Sequence, residues 1–180
     1  MPTGGSSPVV TTSDLDIGPC LVNFNNADLG GTLKNVVAKF KYEKTPLMAD
    51  QFGKTVLDMA ISGMDVTVET EIAETRNKTK WSLVFPSALL GGTSPHQYMD
   101  FKDQTALRQL ALSNPLILHP LVENASALDH DWYFYKALPL EDSSYTHGPT
   151  EQAQLKITWR VLLDTSVTPA RMFRVGDHTL

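Results

Sequence analysis

The chain has a single cysteine, Cys20, in 180 residues. No intrachain disulfide and no thiolate zinc site can be built from it. No run of about 18 apolar residues occurs, the length a membrane-crossing helix needs. The opening MPTGGSSPVV lacks the charged-then-apolar order of a secretory signal, so a soluble protein made inside the cell is expected. An excess of positive charge is missing as well. With 15 Lys and Arg against 20 Asp and Glu the net charge is −5, and no bulk field favours nucleic acid or an anionic membrane. G-x-S-x-G, the P-loop, G-x-G-x-x-G and H-E-x-x-H are all absent. Neither catalysis nor a cofactor is expected.

What is present is alternation. In MDVTVETEIAE, Met64, Val66, Val68, Thr70 and Ile72 are mainly apolar, while Asp65, Thr67, Glu69 and Glu71 are polar and mostly acidic. Successive strand side chains point to opposite faces, so this segment reads as a half-buried strand with an acidic outer row. Upstream, Thr55, Leu57, Met59 and Ile61 alternate with Val56, Asp58 and Ala60, and Gly63 interrupts. Two strands, or one long bulged strand, fit that pattern.

Residues 1–18 are rich in Gly, Ser, Thr and Pro without periodicity and read as a flexible N-terminal arm, leaving 19–180 as one domain. CLVNFN reads as a strand, NADLGGT as a turn carried by Gly30-Gly31, and Leu33 to Tyr42 as a second strand with a basic tail. Glu43 to Thr55 reads as a loop punctuated by Pro46 and Gly53. TRNKTKWSLVFP spaces Trp81, Val84 and Phe85 as a short helix that Pro86 ends. SALLGGTSPHQYMDF and EDSSYTHGPTEQ read as loops, and DQTALRQLALSN as a short helix or an extended arm. PLILHPL, WYFYKALPL, QLKITWRVLLD and ARMFRVGD read as strands. Seven or eight strands with one or two short helices and long loops make a mainly β chain, a β-sandwich or partial barrel.

Several clusters invite chemistry. Asp129-His130-Asp131 has metal-ligating side chains, but neighbours on an extended chain point apart, which favours a solvated turn. His119 beside Pro120 reads as a buried, satisfied histidine. Glu69 and Glu71 sit ~6–7 Å apart on one face, a spacing that suits acid–base work on a sugar, although exposed carboxylates are usually only solvated. Lys34, Lys39, Lys41 and Lys44 form a loose basic cluster, read as a solvated face or subunit contact. Trp132, Tyr133 and Tyr135 suggest a carbohydrate-stacking platform, limited by alternation to Trp132 with Phe134 or Tyr133 with Tyr135. Asn77-Lys78-Thr79 and Asn124-Ala125-Ser126 match the glycosylation sequon, which has no meaning without secretion.

The order of the pieces carries more than any one of them. GPCLVNFN, the ADLGGT turn and a lysine-bearing strand precede ADQFGKTVLDMAISGMDVTVETEIAE and a short helix; ALRQLALSNPLILHP, ITWRVLLD and RMFRVGD follow. Together, across residues 18 to 177, they resemble the major tail tube proteins of long-tailed bacteriophages. The resemblance implies a virion protein of the tail, synthesised in the host cytoplasm. Its sandwich-like domain would join homo-hexameric rings that stack into a tube, with inner sheets closing into one barrel through which DNA passes. It implies other tail proteins as partners: tip, tape measure and terminator. Asp58, Asp65, Thr67, Glu69 and Glu71 would then face the lumen. Six copies would place roughly two dozen carboxylates around each level, repelling DNA over about 8 Å at physiological salt. Lys156 and Arg160 would add some positive charge there. The Glu43–Thr55 loop, with Leu47, Met48, Asp50, Gln51 and Phe52, would make contacts between rings or subunits. The alternatives are the inner tube of a contractile tail or injection system, and a carbohydrate-binding β-sandwich module.

Overall fold

The computed structural model describes residues 19–48, 55–103, 108–139, 142–150 and 152–179. Among them the chain is mainly β. Its strands are β1 (Cys20–Phe24), β2 (Ala27–Gly31), β3 (Val37–Met48), β4 (Val56–Ile72), β5 (Ala88–Gly91), β6 (Tyr98–Phe101), β7 (Asn114–Pro120), β8 (Trp132–Leu138), β9 (Ser144–Thr146), β10 (Gln154–Val161) and β11 (Phe173–Val175). Two short helices, α1 (Lys78–Val84) and α2 (Gln109–Leu112), complete the elements. The strands beyond the expected seven or eight include β5, β6 and β9, which fall in segments expected to be loops. At three or four residues each they are too short to show a period.

Nine strands form one antiparallel sheet in the order β2-β1-β7-β8-β10-β4-β3, with β9 on β10 and β11 on β8; β5 and β6 pair separately. The sheet curls on itself. Thr32 bridges Ile72, and the Leu33 N–H donates to the Glu71 carbonyl at 2.9 Å. Phe24 on β1 and Trp159 on β10 lie 4.8 Å apart although two strands separate them in the sheet. The two flanks thus enclose one core, containing Val22, Phe24, Val66, Val68, Leu116, Phe134, Ile157 and Trp159, without closing into a barrel. Full burial of side chains of this size contributes roughly 1.5–3 kcal/mol each. The Trp159 indole N–H donates to Thr70 Oγ1 at 2.8 Å, which explains why a polar residue stands in the apolar row of β4.

Two expected local features move. The first hairpin turns at Asn25-Asn26, whose φ values of 52° and 59° are those of a two-residue primed turn, while Gly30-Gly31 lie inside β2. Asparagine enters the left-handed region more readily than other side-chain-bearing residues, so NN carries the turn. Gly30 serves close approach instead: its φ is 105°, and a Cβ there would lie 2.7 Å from Glu74 Oε1. Further on, Glu43–Met48 is the second half of β3, not a loop.

The α1 helix forms where expected. Asn77 caps it, its Oδ1 accepting the Thr79 N–H at 3.0 Å, and Pro86 follows the C-cap Phe85. The second sequon is an Asx turn, with Asn124 Oδ1 accepting the Ser126 N–H at 3.3 Å. Of the DQTALRQLALSN segment, residues 108–114 are fully described and hold one helical turn, α2; residues 104–107 lie outside the described residues.

Candidate functional site: the two faces of the β3–β4 hairpin

Alternation in β4 behaves as its chemistry dictates. Val66, Val68, Thr70 and Ile72 are buried, and Asp65, Thr67, Glu69 and Glu71 are half-buried on the opposite face. This segment sits between β3 and β10, and β10 pairs only with Val66–Ile72. Beyond that point, β3 and β4 continue as a two-stranded ribbon from the Tyr42–Met64 pair to the Met48–Val56 pair. Nine residues of β4 make this arm about 30 Å long.

The long strand is continuous but bulged. Glu43 pairs with Gly63 and Lys44 with Ile61, which leaves Ser62 as an extra residue on β4; near the tip Leu47 pairs with Asp58 and Met48 with Val56, which leaves Leu57 as a second. Because β3 has no insertion, its odd positions stay on one face throughout. Asp58 pairs with Leu47, and Asp65 with Lys41, so both carboxylates share that face despite being seven residues apart. On an unbulged strand they would face opposite ways. The parity switch was visible in the sequence: apolar residues are mainly odd-numbered before Gly63 and even-numbered after it.

The charged face is an ion-pair lattice. Glu69 bridges two strands, pairing with Lys39 of β3 and with Lys156 of β10 at 3.1 Å. Asp65 meets Arg160 at 3.4 Å, Glu71 meets Lys34 at 3.0 Å, and Lys41 meets Glu43 at 2.7 Å. Lys39 and Lys156 hold the Glu69 carboxyl below the usual carboxylate range. That is the opposite of what a general acid acting on a sugar requires. Thr67 lies between Lys39 and Arg160 in register. With Asp58 included, the face carries five carboxylates and five cations, so the expected acidic row is charge-balanced. Sequence reasoning missed the pairing because the partners come from strands remote in the chain.

The arm's other face is apolar. Tyr42, Pro46 and Met48 of β3 share it with Val56, Met59, Ile61 and Met64 of β4, and Lys44 is its one charged residue. All but Met64 are exposed, Ile61 at 66% and Met59 at 53%. Phe40 continues this face inward to a cleft of about 560 Å³ lined by Val36, Ala38, Leu118, Pro120 and Trp132. Of the residues expected at ring or subunit contacts, Leu47 is on the charged face and Met48 on the apolar one. Asp50, Gln51 and Phe52, like residues 1–18, lie outside the described residues.

The remaining candidates resolve into local structure. No group of three metal-ligating side chains gathers among the described residues. Asp131 is buried and accepts from His119 Nδ1 at 2.6 Å, while His130 pairs with Glu123 at 3.2 Å. His119 is buried as expected but only half satisfied, its Nε2 having no partner in the described structure. Both aromatic platforms are engaged by other side chains of the chain, and Trp132 also lines the cleft described above. Tyr133 is stacked by His178 at 4.9 Å, and the Arg171 guanidinium lies 5.1 Å from the Tyr135 ring centre. Trp132 stacks with Phe134 and with Phe173, and Phe134 meets Phe173 at a tilt of 41°. No protein-family model matches this chain, and no curated protein matches it by sequence.

Proposed function

We propose that this chain is a structural subunit that assembles with copies of itself, as the major tail tube protein of a long-tailed bacteriophage does. Hexameric rings would stack into a tube that conducts DNA during ejection. The observation that carries this reading is the arm. A two-stranded ribbon is marginal in water by itself, and this one exposes apolar side chains along one face. Its outer strand β3 pairs only with β4 among the described residues, leaving a long strand edge with hydrogen-bonding groups to offer. A neighbouring copy that pairs with this edge and covers the apolar face would remove both liabilities. Repeated around a closed ring, that contact leaves no open edge.

In this reading the face bearing Asp58, Asp65, Thr67, Glu69 and Glu71 lines the passage. The wall is then neutral over its surface instead of acidic, because each carboxylate of Asp65, Glu69 and Glu71 is held by a cation of the same subunit. Neutrality also serves passage: no net excess of Lys or Arg remains to bind phosphates through counterion release. Catalysis has no part in this function.

Negative-stain microscopy of the purified protein tests it. Rings or short tubes are expected, and the double substitution M59S/I61S is expected to abolish them while leaving the circular dichroism spectrum unchanged. A wild-type protein that stays monomeric at high concentration would overturn the reading.

A further inference from the structure

The exposure of the ion-paired groups around Glu69 and Glu71 is unequal in a consistent direction. Side chains of Lys34, Lys39 and Lys156 are 61%, 59% and 43% exposed, while those of their partners Glu71 and Glu69 are 20% and 23% exposed. Glu69 and Glu71 lie low on the central strand and their cations reach over them, whereas Asp65 and Arg160 are about equally exposed, at 39% and 42%. On β3, Lys39 and Lys41 are two residues apart on one face, about 6.7 Å, and Lys156 and Arg160 repeat the arrangement on β10 at twice that interval. Two parallel rows of cations flank one row of carboxylates.

We propose that this face is a polyanion-binding stripe held in a masked state by the carboxylates of β4, with duplex nucleic acid as the ligand it would take when unmasked. Asp65, Glu69 and Glu71 occupy the cations much as backbone phosphates would, so a duplex must displace them to gain contacts. Glu69 is the principal mask because it engages Lys39 and Lys156 together and thereby ties both rows. The hydrogen bonds from Lys39 and then Lys156 lower its carboxyl pKa, which favours the charged form that does the masking. The chain therefore meets a phosphate backbone with cations in reach and no net attraction. The ion-pair geometry supports this masking by itself. Only the duplex's place within a conduit rests on the assembly reading.

The test compares binding of a fluorescein-labelled 20-base-pair duplex by anisotropy at 50 mM salt. Three proteins are measured: wild type, D65N/E69Q/E71Q, and D100N/D129N/D142N. The last removes the same charge from exposed carboxylates elsewhere on the chain. The mask predicts at least about tenfold tighter binding for the first variant than for the second. Its slope of log affinity against log salt should be steeper by about 2.7, three phosphates at roughly 0.9 each. Adding K39Q and K156Q to the first variant should remove about half of the gain in salt slope, because Lys34 and Arg160 stay unmasked. Equal binding by the two triple variants would overturn the mask, since net charge alone would then account for the gain. If the triple substitution fails to fold, E69Q alone should still outbind D129N, and equality there overturns the proposal equally. Binding is read on the soluble chain. Absence of rings in microscopy therefore counts against the assembly reading alone, and absence of the binding gain against the mask alone.

Discussion

Single residues decide how β4 can serve two faces. Glu69 has a carboxyl pKa lowered first by Lys39 and then by Lys156. A group depressed on folding contributes stability above its unfolded pKa and loses it as pH falls through the folded one. The denaturation midpoint of wild type should therefore exceed that of E69Q at pH 7, by an amount equivalent to about 0.2–1 kcal/mol per exposed pair. The gap should close below the ordinary carboxylate range, and a gap constant from pH 7 to pH 2 would contradict the pairing. Thr70 makes the complementary point on the buried side, because its hydroxyl accepts the Trp159 indole N–H. Thr70→Val keeps shape and leaves that donor orphaned, at an expected cost of about 1–3 kcal/mol in urea denaturation with a shifted Trp fluorescence. The sequence showed which side of β4 is polar, but not that the polar side is neutralised. Lys39 is 30 positions from Glu69 in the chain, and Lys156 comes from a strand near the other end. Alternation reports the face of a strand and nothing of its neighbours.

At the scale of elements, the bulge at Ser62 does the sorting. Without it the distal part of β4 would turn Asp58 toward the apolar side and Met59 and Ile61 toward the charged side. Deletion of Ser62 is expected to scramble both faces of the arm while leaving the Val66–Ile72 segment and its β10 pairing untouched. Ring formation should be lost, and thermal stability of the soluble chain should stay within about 0.5 kcal/mol of wild type, as for other changes away from the core. A large drop in the melting temperature of the monomer would mean that the arm packs on its own domain. Elements with a long, clean period were readable in advance: β4, β10 and the capped α1. The β3 half of the arm was not, because Pro46 and Gly53 punctuate Glu43 to Thr55 in the way a loop would. The NN turn was misplaced for a related reason. Two consecutive glycines outrank two asparagines as a turn signal, yet Gly30 is spent on clearance from Glu74.

For the whole molecule, the curled sheet supplies one enclosed core, and the arm, the open β3 edge and the apolar cleft that Phe40 and Trp132 share adjoin one another through β3. That the chain is mainly β was legible from strand number and spacing. How far the curl proceeds was not, since closure is decided by pairings such as Thr32 with Ile72 that no local pattern encodes. If copies assemble as proposed, each should draw part of its stability from its neighbours. Binding that favours only the folded state adds stability that grows with concentration over the dissociation constant, about 2.7 kcal/mol at a hundredfold excess. The melting temperature of wild type should therefore rise with protein concentration across two orders of magnitude. That of M59S/I61S should stay flat and meet the wild-type value in the dilute limit, because the substituted side chains are exposed in the monomer and contribute little to its core. A wild-type melting temperature independent of concentration, measured by calorimetry over that range, would show that the arm's apolar face needs no second copy to cover it.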